Sequence, residues 1–295
     1  MVTFYRRLPK IDYIRPSGID EALDLLSNSD NGKYRVYAGG TDVIPKLKNR
    51  IMNPPEAIID LKGIPDLDYI DYDERNGLRI GALATIRSVE TSPIVRKKYP
   101  VLHQAANSIA SIQVRNRGTI AGNICNAVPS ADSAPALLAL EAKLLCVRNK
   151  GERVLMIDEF FKGPNITALH PDELLKEIRI PPLTENCRGV YIKLSPRTKM
   201  DLAVVSVAIL GSIKNGLFKN IRIGLGAVAP TPIRAKKTEE LLEGAKPDDE
   251  TIFNAAKKAS FESKPIDDHR ASAEYRKLMV EVLVKRAINQ IVSKH

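Results

Sequence analysis

The sequence predicts an α+β protein in which short strands and helices alternate, and whose C-terminal part holds an antiparallel sheet and a run of helices. Three observations lead there. Apolar residues recur at helical spacing at Ile19, Ala22, Leu23 and Leu26, and again at Tyr275, Leu278, Met279, Val282 and Leu283. Two Asn-Gly pairs, Asn76-Gly77 and Asn215-Gly216, stand between β-type runs as hairpin turns do. Two glycine loops, Tyr37-Ala38-Gly39-Gly40-Thr41-Asp42 and Gly118-Thr119-Ile120-Ala121-Gly122-Asn123, interrupt strand-like segments.

The elements follow in order. Pro16-Ser17-Gly18-Ile19-Asp20 opens the first helix, with Ser17 as N-cap and Asp20 at the capping-box position. Arg35 to Ala38 reads as a buried strand delivering the first glycine loop, after which Thr41 or Asp42 caps a short helix through Leu47. Pro54-Pro55 marks a break between a small β-α-β lobe, about residues 1–54, and a larger lobe, 55–180. In the larger lobe Ala57 to Leu61, Leu67 to Tyr72 and Leu78 to Ala82 read as strands, and Val101 to Ile112 as a helix. Arg115 and Arg117 then stand just before the second glycine loop, where they contact a phosphate or simply face water. Behind that loop, Asp132 and Ser133 precede an apolar helix with Pro135 in its first turn. Lys143 to Arg148 and Glu152 to Leu155 pair as strands across Asn149-Lys150-Gly151. Pro181-Pro182 closes Leu174 to Ile180 and sets a boundary with a C-terminal domain, 181–295. There Ala203 to Ile213 and Leu217 to Val228 form a long hairpin. Helices over Thr238 to Leu242, Asp248 to Ser260 and Ser272 to Ile291 finish the chain, the apolar stripe of the last being core packing.

Composition narrows the function classes. Forty-five Lys and Arg against 35 Asp and Glu give a net charge of +10. The basic residues are scattered among acidic ones, Trp is absent, and no basic run is interleaved with aromatics for base stacking, which argues against nucleic-acid binding. A solvated surface or a docking face for acidic partners remains. No apolar run reaches the length of a membrane span, so a soluble, cytoplasmic protein is expected. Cys125, Cys146 and Cys187 form no C-x-x-C and support neither a disulfide framework nor a zinc or iron–sulfur site. The histidines His103, His170, His269 and His295 are too dispersed for a metal site or a catalytic dyad.

The glycine loops carry the chemistry. Glycine lets backbone approach a ligand closely, and a helix start behind it offers unpaired N–H groups to an anion. Two such loops suit a diphosphate. Neither has the G-x-G-x-x-G spacing, and no G-K-[ST] follows. Asp132 has two roles open to it: accepting from a sugar or ribityl hydroxyl, or capping its own helix.

AGGTD together with TIAGN resembles the FAD-binding subunits of the molybdenum hydroxylases, the family of xanthine dehydrogenase and carbon monoxide dehydrogenase. The similarity runs over nearly the whole chain. GNICN, SADSAPALL, AVAPTPIRA and RASAEYR bring it nearest to the separate FAD subunits of bacterial xanthine dehydrogenases. The resemblance implies a two-lobed FAD-binding domain of the vanillyl-alcohol-oxidase type, followed by a C-terminal domain of the molybdenum hydroxylase flavoprotein type. It implies FAD held by Val36, Tyr37, Ala38, Gly39, Gly40, Thr41, Asp42 and Val43 of the first loop, by Thr119, Ile120, Ala121, Gly122 and Asn123 of the second, and by Asp132. It also aligns Ile109 and Leu175 with residues beside the flavin ring. Lys193 is aligned beside the isoalloxazine, where a cation would favour reduced flavin and raise its potential. Ala121 stands where the family usually has a second Gly, a methyl that is harmless if φ is negative. The first loop has no His or Cys, so the FAD is expected to be noncovalent.

The function implied is electron relay. A molybdopterin large subunit oxidises substrate, an iron–sulfur small subunit with [2Fe–2S] clusters carries electrons, and the FAD of this chain passes them to an acceptor such as NAD⁺, in a dimer of heterotrimers. No metal ligands and no certain catalytic residue are assigned to this chain itself. A stand-alone flavin reductase or oxidase on the same fold, and a basic non-enzymatic binding protein, are the alternatives.

Overall fold

The computed structural model describes residues 7–29, 33–197 and 200–293. The chain opens with β1 (Asp12–Ile14), α1 (Ile19–Ser27), β2 (Tyr34–Tyr37), α2 (Val43–Lys48) and β3 (Ala57–Asp60). The three strands form a parallel sheet in the order β1-β3-β2. All four residues of β3 are buried, and Ala22, Leu23 and Leu26 of α1 share a core with Ile59, as their helical spacing requires. Three readings are corrected here. The stretch Ala57 to Leu61, placed beyond the Pro54-Pro55 break, is the central strand of the first sheet. Proline bends the chain without stopping the next strand from pairing back. The N-cap of α1 is Gly18, not Ser17, and the backbone N–H and hydroxyl of Ser17 instead donate to the Glu21 carboxylate at 2.8 and 2.9 Å. β2 is only half-buried, because the face carrying Val36 lines a cavity.

The second lobe contains β4 (Ile70–Asp73), β5 (Gly77–Gly81), α3 (Ile86–Thr91), α4 (Pro93–Lys98), α5 (Pro100–Ser108), α6 (Ile112–Arg115), α7 (Ile120–Cys125) and α8 (Ser133–Ala139). β6 (Lys143–Arg148), β7 (Gly151–Met156), α9 (Ile157–Phe160), β8 (Phe161–Gly163), β9 (Ile166–Thr167) and β10 (Leu174–Ile180) complete it. Its antiparallel sheet runs β4-β5-β10-β6-β7, with the helices packed on one apolar core. Gly77 closes the β4–β5 turn at φ +82°, a conformation that favours glycine. The helix expected from Val101 to Ile112 stops at Ser108. Ile109 is extended and Ala110 takes φ +43°, so the chain turns before α6 begins.

The C-terminal domain holds β11 (Arg188–Leu194), β12 (Val205–Lys214), β13 (Leu217–Gly226) and β14 (Ile233–Arg234), then α10 (Lys236–Leu242), α11 (Asp249–Glu262) and α12 (Ala273–Val292). The sheet is antiparallel in chain order, and Lys214 pairs with Leu217 across the Asn215-Gly216 turn, both residues having positive φ. Ser272 caps α12 by accepting from Tyr275 N at 3.2 Å. The buried face of α12 is Arg276, Val280, Leu283, Val284, Ala287, Ile288 and Ile291, so the stripe read from sequence is rotated. Tyr275 and Leu278 face outward at 45% and 54% exposure, because the Arg276 side chain takes the inward position. The domain lies on α8 so closely that a Cβ on Gly224 would stand 2.1 Å from the Pro135 carbonyl oxygen. Among the described residues, no helix is long and apolar enough to cross a membrane.

Candidate functional site

A cavity of about 760 Å³ opens between the two lobes, within the roughly 300–1,000 Å³ range of small-molecule sites. Both glycine loops line it, and they meet at its edge. A Cβ on Gly39 would lie 2.1 Å from Arg117 O and 2.7 Å from Gly118 Cα, so the first loop rests on bare backbone of the second. A Cβ on Gly118 would in turn lie 3.2 Å from Thr41 Oγ1. Gly40 has φ +74° and the Tyr37 ring directly behind it.

The second loop is helical where a turn between β-type residues was expected. Thr119 caps α7, its hydroxyl accepting from Gly122 N at 2.9 Å. The α7 backbone is compatible with a methyl at Ala121, which is nearly buried and lines the cavity. Asn123 Oδ1 accepts from the Ser133 hydroxyl at 2.5 Å, fixing α7 to the start of α8. Below the loops, Asn126 Nδ2 donates to Asp42 Oδ1 at 2.8 Å and its Oδ1 accepts from Lys46, so α2 of one lobe is clasped to α7 of the other. Asp42 makes no side-chain cap for α2, and burial raises its carboxyl above the usual range despite Lys46.

Val36, Ala38, Gly39, Gly40, Thr41, Asp42, Val43, Ile109, Thr119, Ala121, Gly122, Asn123, Asp132 and Leu175 all line this one cavity. Three residues of the predicted set do not. Tyr37 turns its ring beneath the Lys62 ammonium, 4.0 Å from the centroid, Ile120 is wholly in the core, and Lys193 is engaged elsewhere. Lys193 Nζ donates to Asp132 Oδ2 at 2.7 Å and to Ser108 O at 3.2 Å. Tyr191 O–H donates to Asp132 Oδ1 at 2.8 Å. Both oxygens of Asp132 are thus held by β11, and its side chain does not cap α8. Burial raises the Asp132 carboxyl above its ordinary value against the pull of Lys193 and Tyr191.

Arg115 neither reaches the glycine loops nor faces water. Its Nε donates to Glu90 Oε2 at 2.9 Å and its Nη1 to Ile109 O at 2.9 Å, so an ion pair under the surface supports the left-handed turn at Ala110 that forms a cavity wall. Leu175 sits at a register irregularity of β10 against β6, a bulge beside a site. Cys125 lines the cavity as a burial-suppressed thiol, pushed up to about 12.

Sequence reasoning missed two walls. Asn165, His170 and Glu173 come from the β8–β10 region, where Arg153 grips both oxygens of Glu173 at 2.7 Å. Met200, Asp201 and Leu202 come from the β11–β12 loop. Neither segment has a glycine motif, and only the ligand-sized space between them marks their role.

The cavity suits FAD on its own geometry. Closely apposed glycine backbone and a capped helix start offer a diphosphate its place, and Ile109, Ala110 and Leu175 offer a flat ring an apolar wall.

Comparison with known proteins agrees. Residues 9–183 match the family model described as the FAD binding domain in molybdopterin dehydrogenase, and residues 190–291 match the CO dehydrogenase flavoprotein C-terminal domain. The glyceraldehyde dehydrogenase medium chain of Sulfolobus acidocaldarius is 35% identical over 283 residues, 96% of this chain and 99% of that one. The xanthine dehydrogenase FAD-binding subunit of Escherichia coli O157:H7 is 32% identical, covering 95% of this chain and 96% of that one. Among solved structures, a carbon monoxide dehydrogenase from Hydrogenophaga pseudoflava, lacking the Mo-pyranopterin moiety of its molybdenum cofactor, superposes with a TM-score of 0.93 at 34% identity, covering 97% and 99% of the two chains.

Proposed function

The chain belongs to the family of FAD-binding medium subunits of the molybdenum hydroxylases, and from that premise we propose that it is the electron outlet of a three-subunit enzyme. Electrons arrive from [2Fe–2S] clusters of a small partner subunit, after a molybdopterin-bearing large subunit has oxidised the substrate, and leave to NAD⁺. When bound, FAD supplies the conversion between single-electron delivery and two-electron release. The assembly is a dimer of heterotrimers, working in the cytoplasm, a compartment that suits the three free cysteines of the chain.

The observation that carries the reading is the backbone contact of Gly39 with Arg117 and Gly118, which brings two anion-friendly loops to one spot beside an apolar wall. Residues 39–42 and 119–123 would hold the diphosphate noncovalently. Ile109, Ala110 and Leu175 would pack the ring, and Asp132, with Lys193 behind it, would set the charge near it. This chain's residues bind, orient and exclude water. Substrate oxidation belongs to the large subunit.

The test is purification from the native host, with mass spectrometry of the co-purifying chains and analysis for iron and molybdenum. Recovery of both partner subunits with both metals is expected. The chain alone, loaded with FAD, should oxidise NADH with artificial acceptors and hydroxylate no purine. A lone homo-oligomer that turns over a substrate fully, with neither metal, would sink the relay and favour a stand-alone flavoenzyme.

A further inference from the structure

The Arg270-Ala271-Ser272-Ala273-Glu274-Tyr275-Arg276 segment lies at the base of α12 and lines no part of the cavity. Its last residue is nevertheless tied to the cavity from two sides. Arg276 is 2% exposed, and its Nη1 donates to Val204 O at 2.6 Å and to Ala227 O at 2.9 Å. Val204 is the root of the β11–β12 loop: its N–H donates to Leu194 O at 2.8 Å, closing the segment in which Met200, Asp201 and Leu202 reach the cavity. Ala227, at φ +62°, donates its N–H to Pro129 O at 2.8 Å. Pro129 lies in the loop whose Val128, Ser130, Ala131 and Asp132 form another wall.

One guanidinium nitrogen therefore joins two cavity walls that are far apart in sequence. We infer that Arg276 is a positioning residue of the cofactor site, holding the Met200–Leu202 wall and the Val128–Asp132 wall in one register through Val204 and Ala227. Asp268, two residues before the segment, and Arg270 complete the clamp. Asp268 accepts from Arg276 Nη2 at 2.7 Å, and from the backbone N–H and Nη2 of Arg270 at 2.8 and 2.6 Å, which fixes the plane of the guanidinium it shares. A planar fork that gives two carbonyls and a carboxylate their donors at once is a task for arginine, since lysine carries no fork. Without it, both carbonyls lose their buried donor, and each wall relaxes against its own surroundings. A lost donor of this kind is costly locally. The larger effect falls on a ligand that must touch both walls, because it then has to order them itself.

The inference rests on the FAD reading of the cavity, and the experiment separates the two. The full chain is prepared with Arg276→Gln, Arg276→Lys and, as a control, Val284→Ala, which removes buried volume from α12 without touching the clamp. Thermal unfolding, FAD dissociation constant, visible circular dichroism of bound FAD and its midpoint potential are measured on each. R276Q should bind FAD at least tenfold more weakly and alter its visible dichroism and potential, with R276K recovering part of each. The control, with its melting temperature lowered comparably, should keep the dichroism and potential of the unsubstituted chain. If R276Q does not fold, R276K against the control is read in the same way. Equal FAD affinity and an unchanged spectrum in the Arg276 variants, or losses that merely follow melting temperature in all variants, would overturn the positioning role. Failure of the unsubstituted chain to bind FAD would instead strike the cofactor reading.

Discussion

Gly39 faces the carbonyl of Arg117 with no room between them: a methyl there would lie 2.1 Å from the oxygen and 2.7 Å from Gly118 Cα. Neither neighbour is a side chain that can swing away. Gly39→Ala should therefore push the two loops apart, lowering stability by about 1–3 kcal/mol, as overpacking does, and removing FAD retention. Urea unfolding and flavin absorbance after gel filtration measure the two effects. A stable variant with full occupancy would show that the loop contact is dispensable.

Two of the remaining loop glycines, Gly122 and Gly40, should behave differently from each other. A Cβ on Gly122 meets only Thr119 Oγ1, at 2.9 Å, and Gly122 lines the cavity. Gly122→Val should keep the far-ultraviolet dichroism of the parent and lose FAD affinity at least 100-fold. Gly40 combines φ +74° with the Tyr37 ring 2.3 Å from any Cβ. Gly40→Val should lower the melting temperature as well, since left-handed backbone costs a branched residue roughly 1–2 kcal/mol before the ring is counted. Similar melting temperatures for the two variants would contradict this division.

The Asp132–Lys193 pair joins the cavity to β11, with side chains only 8% and 10% exposed. Breaking a buried pair from one side leaves a charge uncompensated and costs roughly 3–5 kcal/mol, whereas removing both charges costs less. On the proposed placement of the pair beside the flavin ring, Lys193→Met should lower the midpoint potential by removing positive charge there. Asp132→Asn should raise it, and the double variant should return it toward the parent value. Unchanged potentials in both single variants would take the pair out of the flavin electrostatics.

Acid should reach α12 through Asp268. Burial pulls this carboxyl upward, yet the hydrogen bonds from Arg270 and Arg276 prevail and hold it well below the usual range. A depressed native value means that the stabilisation is complete above the ordinary aspartate pKa of about 3.9 and is lost as pH falls through the native one. Asp268→Asn should unfold more easily than the parent at pH 7, and the gap should narrow below about pH 4. A gap that stays constant with pH would mean that the carboxylate charge is not what matters.

Much of this architecture was legible because local chemistry and tertiary structure agreed. Asn215-Gly216 made its hairpin, the helices read from Asp248 and Ser272 begin one residue later with those residues as their caps, and the glycine loops came together. What escaped was decided by distant partners. No local signal assigns β3 to a sheet between β1 and β2, since parallel pairing leaves no turn to read. The face of α12 was misread because an arginine counts as polar, and only its acceptors Val204, Ala227 and Asp268 justify burying it. A cap stayed open for Asp132 beside its ligand role because its neighbours on β11 lie about 60 residues away in the chain.

β10 is the middle strand of its sheet, yet its partners β5 and β6 are made long before it, Ile178 pairing with Ile80 on one side and Leu144 on the other. On the ribosome the β4–β5 and β6–β7 pairs must wait for Ile180 to emerge with the facing edges of β5 and β6 unpaired, and such non-local closure is slow and exposed to aggregation. The cofactor cavity is later still, since β11 must follow to reach Asp132. A nascent chain stopped before Leu174 should thus engage chaperones, whereas one stopped after β10 should already protect the β5 and β6 amides from hydrogen exchange.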